Sequence, residues 1–195
     1  GTQWCDEVQS VVKTVNLRRI SQQSLDENVL RYAAKDFSGR KLNAISLVAG
    51  KISFSVQDDQ GRGLPLFRDK GAYYLSGKEG QAYQLSYQNH SDQTFEIVAS
   101  VDGLDVIRGV PASRAHSGYV LKPQSRLVIE GFRKSDSVVA SFIFSAAKSA
   151  YAANNEQGDA RHIGLIGTAI FELHDPNAGQ ANPFPADNGY AKAPR

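Results

Sequence analysis

The chain has 195 residues, 22 Lys and Arg against 20 Asp and Glu, and one cysteine. That length supports one domain with a core of its own, without staples of metal or disulfide. The near balance of charge lacks the basic footprint of a nucleic-acid binder. No apolar run approaches the roughly 18 residues that a spanning helix needs, so no transmembrane span is expected. The lone Cys5 excludes an intramolecular disulfide and a zinc site built on several thiolates. It reads as a packed or partly exposed thiol, with an intermolecular crosslink as the functional alternative. With no methionine in the sequence, processing of the amino end is expected, with a signal peptide presumed removed.

In chain order, residues 1–50 read as a mixed segment, either an arm or a small accessory lobe. "DEVQSVVKTVNL" places Asp6 and Gln9 at capping-box spacing, yet its valines suit a strand equally. "SLDENVLRYAAKDF" repeats the capping signal with Ser24 and Glu27, and Leu25, Val29, Tyr32 and Ala33 form a helical apolar stripe.

From residue 51 to 174 the pattern is one of short strands and turns. "KISFSVQ" alternates Ile52, Phe54 and Val56 with polar residues, the signature of a half-buried strand. "AYQLSYQ" and "FEIVASV" show the same alternation and, joined by "NHSD", read as a β-hairpin. "RLVIEGF" precedes "VVASFIFS", which is apolar on both faces and therefore suits the middle of a sheet. The alanine-rich "SAAKSAYAANN" reads as one short inserted helix. "HIGLIGTAIFEL" supplies a last strand, with Ile163, Leu165, Ala169, Phe171 and Leu173 as its apolar face. Many strands at this spacing predict a mainly β chain, an antiparallel β-sandwich of Ig-like or jelly-roll-like kind. Residues 175–195 hold four of the seven prolines and read as an extended tail.

The chemistry-bearing residues match no catalytic template. Asp102 and Asp105 in "VDGLDV" offer two carboxylates without the further oxygen ligands of a calcium loop, and the same residues suit a turn between strands. His90, His116, His162 and His174 show no close pair of the kind zinc sites use. There is no G-x-S-x-G, and Ser113 near His116 in sequence is not a triad. "GLIGTA" lacks the Lys and Ser/Thr of a phosphate loop. No cofactor is expected.

Residues 80–172 carry a further signal in "SVDGLDVI", "GYVLKP" and "IEGFR". This block resembles a family of bacterial envelope or secreted β-sandwich proteins of uncharacterised function. The resemblance implies an exported protein, periplasmic or extracellular, and brings no catalytic residues.

The function expected from these readings is non-enzymatic: a structural or interaction subunit that binds other envelope proteins or itself. Partner contacts are expected from the amino-terminal arm (Trp4, Val8, Val12, Leu17) and the tail (Phe184, Tyr190). The alternative is a glycan- or cell-wall-binding module using Tyr73, Tyr74, Arg114 and His116. An enzyme comes third and requires His116, Asp102 and Asp105 to converge in a cleft.

Overall fold

The computed structural model describes residues 1–10, 13–146, 158, 160–178 and 189–191. Its first strands are β1 (Thr2–Gln9), β2 (Lys13–Val15), β3 (Arg18–Arg19), β4 (Asp26–Ala33), β5 (Arg40–Leu42) and β6 (Ile45–Leu47). The middle of the chain forms β7 (Ile52–Gln57), β8 (Leu66–Asp69), β9 (Ala72–Ser76), β10 (Ala82–Asn89), β11 (Phe95–Val101) and β12 (Leu104–Asp105). The remainder forms β13 (Tyr119–Leu121), β14 (Arg126–Ile129), β15 (Gly131–Arg133), β16 (Val138–Phe144), β17 (Leu165–His174) and β18 (Gly189–Ala191). Among the described residues helix is reduced to a 3-10 turn at Ala160–His162. The helix expected at 145–155 falls, from residue 147 onward, outside the described residues.

The strands form two sheets. The smaller runs β1-β16-β10-β7-β6, with β15 on β16 and β14 on β10; the larger runs β2-β18-β13-β11-β17-β4-β9-β8-β5, with β12 on β11 and β3 on β17. Pairing is mixed, since β4–β9 and β2–β18 are parallel while the other pairs are antiparallel. The sheets face one another across a single core. Ile52, Phe54, Val56, Leu85 and Tyr87 come from the smaller sheet, and Leu30, Phe95, Ile97, Val101 and Ile166 from the larger. Each such side chain contributes about 1.5–3 kcal/mol on burial. Tyr87 reaches across the core to share a 2.7 Å hydrogen bond with Thr168.

The alternation in β7, β10 and β11 is as expected, but the pairing is not. β10 pairs with β7, β14 and β16, and β11 with β12, β13 and β17, so "NHSD" is a crossing between sheets and not a hairpin turn. Asn89 fixes the crossing. It is fully buried, and its Nδ2 donates to Gln93 O (2.7 Å) and Lys122 O (3.0 Å) while its Oδ1 accepts from Ser91 N (2.9 Å).

Residues 26–33 are strand and not helix. Ser24 and Glu27 do bond at 2.7 Å, but they lead into β4, where Leu30 and Tyr32 are buried and Leu25 and Val29 are half exposed. Residues 1–50 do not stand apart either: β1 belongs to the smaller sheet and β2, β3 and β4 to the larger. In β17 the core face is Ile166 and Ile170 with Thr168 between them. Of the face read from sequence, Phe171 lies under Arg19, and Leu173 clusters with Val120, Val15 and Leu17.

Candidate functional site

β11 turns into β12 through Asp102 and Gly103, both with positive φ (53° and 79°), a two-residue hairpin turn of the I′ kind. The Asp102 carboxylate is buried and points into the protein, accepting from Thr2 N (2.8 Å), Tyr32 OH (2.6 Å) and Gly164 N (2.8 Å). A carboxylate only accepts, so the proton order is fixed: Tyr83 OH donates to Thr2 Oγ1, which donates to Tyr32 OH, which donates to Asp102. Burial, reinforced by the nearby negative charge, holds both tyrosines far above their ordinary range, so they stay neutral.

Asp105, also buried, organises the long loop that follows. Its Oδ1 accepts from Ile107 N (2.8 Å) and Arg108 N (3.0 Å), and its Oδ2 meets His116 Nδ1 at 3.1 Å. A second clasp comes from β3. Arg19 lies 3.6 Å over the Phe171 ring, bonds Glu96 at 2.5 Å, and donates to the carbonyls of Arg114 (2.5 Å) and His116 (2.7 Å). The other Glu96 oxygen accepts from Gly118 N (3.1 Å), and Arg108 grips Ser117 through its carbonyl and its hydroxyl. Buried charges thus hold residues 106–118 in one shape.

That loop overhangs the outer face of the larger sheet. Register places Val29, Gly167 and Ser100 in one outward row across β4, β17 and β11, and Glu27, Ala169 and Val98 in the next. The middle residues are small, so a cleft remains between the strands and the overhang. Its larger part, about 520 Å³, is lined by Val29, Ser100, Pro111, Ala112, His162 and Leu165. It adjoins a second part of about 220 Å³ bordered by Glu27, Asn28 and Ser113. Arg114 closes one wall through two bonds to Glu27 (2.6 and 2.5 Å), and its guanidinium, helped by Ser24, holds the Glu27 carboxyl below its usual range. Gly167 leaves room here, since a Cβ would lie 2.6 Å from Ser100 Oγ and would turn that hydroxyl aside. Asn28, between the outward Glu27 and Val29, turns inward in register with Thr168, and its Oδ1 is buried without a hydrogen-bond partner among the described residues. Val29, which lines the cleft, is 51% exposed, and Ile20 and Leu25, elsewhere around the larger sheet, are 59% and 50% exposed.

Of the residues singled out from sequence, Arg114 lines this cleft and His116 anchors its roof. Tyr73 packs against the core and Tyr74 stacks on Phe37 at 4.9 Å, and neither lines the cleft. Trp4 stacks on Phe132 at 4.5 Å, Leu17 joins the Val120–Leu173 cluster, and Val8 is exposed on β1. The Tyr190 backbone pairs with Tyr119 and Thr14; Val12 and Phe184 lie outside the described residues. The convergence an enzyme would need is partial: Asp105 meets His116, while Asp102 faces the core. Among the described residues no three His, Cys, Asp or Glu side chains are grouped to hold a metal ion. Arg19 and Glu96 were missed, because in the alternating run "FEIVASV" Glu96 falls on the polar face, and its burial is set by Arg19 and the 106–118 loop, far away in the chain.

Comparison of the chain with protein-family models, curated proteins and solved structures finds no match.

Proposed function

We propose that this chain is a non-enzymatic binding subunit of the bacterial envelope, an Ig-like or jelly-roll-like β-sandwich that docks another envelope protein or a second copy of itself. The resemblance of residues 80–172 supports the location. One observation carries the docking role: a loop fixed by buried charges overhangs a cleft whose wall exposes Val29. Preorganisation of this kind lowers the ordering cost of association. Exposed apolar side chains beside a preformed cleft mark an interaction surface.

The test is native extraction from producing cells, comparing the wild type with Val29→Glu. A fixed set of co-purifying envelope proteins, or self-association into larger particles, is expected for the wild type. Both should be lost on Val29→Glu with the melting transition unchanged. A wild-type protein that stays monomeric and alone would overturn the reading in favour of a small-ligand module. For a glycan, that module lacks an aromatic platform at the cleft among the described residues, because Tyr73 and Tyr74 lie elsewhere.

A further inference from the structure

The opposite face of the molecule carries a second cleft, independent of the 106–118 loop. β10 and β16 pair at Ala82–Ile143 and Tyr83–Phe142 and then diverge, and the segment 126–133 wedges between them, pairing first with β10 as β14 and then with β16 as β15. The change of partner falls at Glu130, which belongs to neither strand. Gly131 makes the close approach possible, because a Cβ there would meet Ala140 O at 2.0 Å. Leu127 and Ile129 face the core, so the alternation turns Glu130 to the outer surface. There it lines a cleft of about 510 Å³ with Val8, Asp59, Ala82, Gln84 and Ile143. That volume lies within the range of roughly 300–1,000 Å³ typical of binding pockets.

We propose that this cleft receives the cationic side chain, arginine or lysine, of an extended segment of a partner protein. Charge complementarity carries the assignment: two carboxylates line the cleft and, among the described residues, no cationic side chain does. The Glu130 carboxylate has no hydrogen bond or ion pair among the described residues. Arg133, the neighbouring cation, spends its nitrogens on Ser10, Tyr119 and Ser135. Burial raises the Glu130 carboxyl above its usual range, and the Arg133 charge offsets this only in part. A half-buried acid left unpaired in a cleft is the expected state of a receptor for a positive group. Val8, Ala82 and Ile143 supply the apolar wall along which the methylene stem of arginine or lysine packs.

The test is a titration followed by amide NMR shifts, with butylguanidinium as probe and its neutral isostere butylurea as control. Saturable shifts at Val8, Ala82 and Ile143 are expected with butylguanidinium and not with butylurea. A Gly-Ser peptide bearing one central arginine should bind at least as well as the free probe. Glu130→Gln should weaken binding about tenfold or more, the loss expected when a charged hydrogen-bond partner becomes neutral. Ala82→Lys, which places a tethered cation at the same carboxylate, is a second variant and should abolish binding. Equal shifts with butylurea, no saturable shift, a peptide that fails where the free probe binds, or a folded Glu130→Gln or Ala82→Lys protein with unchanged affinity would each overturn the proposal.

Discussion

Asp102 shows how one side chain can set a corner and join two sheets. Its backbone occupies the left-handed region, which Asp and Asn tolerate better than other non-glycine residues, and its carboxylate takes protons from three separate segments. The Thr2 amide belongs to the smaller sheet and Tyr32 to the larger, so the bonds run between layers. Asp102→Ala strands three donors and forces alanine into a positive φ, and it should cost about 3–5 kcal/mol. Asp102→Asn keeps the backbone and one acceptor oxygen but turns an amide toward a donor, which should cost about 1–2 kcal/mol. Urea unfolding midpoints rank the two variants. Equal losses would show that the carboxylate, and not the backbone geometry, is what the corner requires.

At the scale of elements, the 106–118 loop depends on the Arg19–Glu96 pair, whose side chains are only 2% and 1% exposed. Removing one partner leaves a buried charge alone, so Arg19→Leu should destabilise by about 3–5 kcal/mol. Adding Glu96→Leu should recover much of that loss, since a buried ion pair and an apolar pair of similar volume are often close in stability. The double variant still lacks the bonds from Arg19 to the carbonyls of Arg114 and His116. Hydrogen exchange at residues 110–117 should therefore remain faster than in the wild type even where the unfolding midpoint is restored. Unchanged exchange would mean that Asp105 holds the loop alone.

This clasp also marks where sequence reading stopped. Period-2 alternation exposed β7, β10 and β11 because their inward side chains are all apolar, and Asp102-Gly103 was legible as a turn because few residues accept positive φ. Pairing was not legible. β10 and β11 have the same pattern whether they join as a hairpin or separate, and the choice rests on Asn89 bonding Lys122, 33 residues away in the chain. The helical stripe at residues 25–33 was misleading for a similar reason: Val29 is apolar but lies on the open face of β4, and Leu25 just before the strand is exposed too, so propensity and burial point in different directions. Of the cleft, Arg114 and His116 were found as loop residues, while the Val29–Gly167–Ser100 row needed the register of three strands.

Across the whole molecule, the amino-terminal segment does not behave as an arm laid on a finished core. β1 pairs along β16 from Thr2–Phe144 to Gln9–Val138, with one irregularity between Trp4 and Glu7. β2 then crosses to the larger sheet and lies parallel to β18, while Val15 and Leu17 cover Val120 and Leu173. Deleting residues 1–17 therefore strips an edge strand from one sheet, a cover from the other, and the Thr2 bridge between them. The lost stack of the partly buried Trp4 on Phe132 is worth about 0.5–1.5 kcal/mol beyond the area it covers. The Thr2 contacts and the Val15–Leu17 cover add several more, and the sum approaches the whole stability of an ordinary domain, roughly 5–15 kcal/mol. The truncated chain should lose its cooperative melting transition in calorimetry, while Val29→Glu, on an exposed face, keeps it. A truncated chain that melts cooperatively within a few degrees of the full chain would return this segment to the role of a docking arm. It would also mean that β16 tolerates a bare edge, a state that sheets ordinarily avoid by covering or charging it.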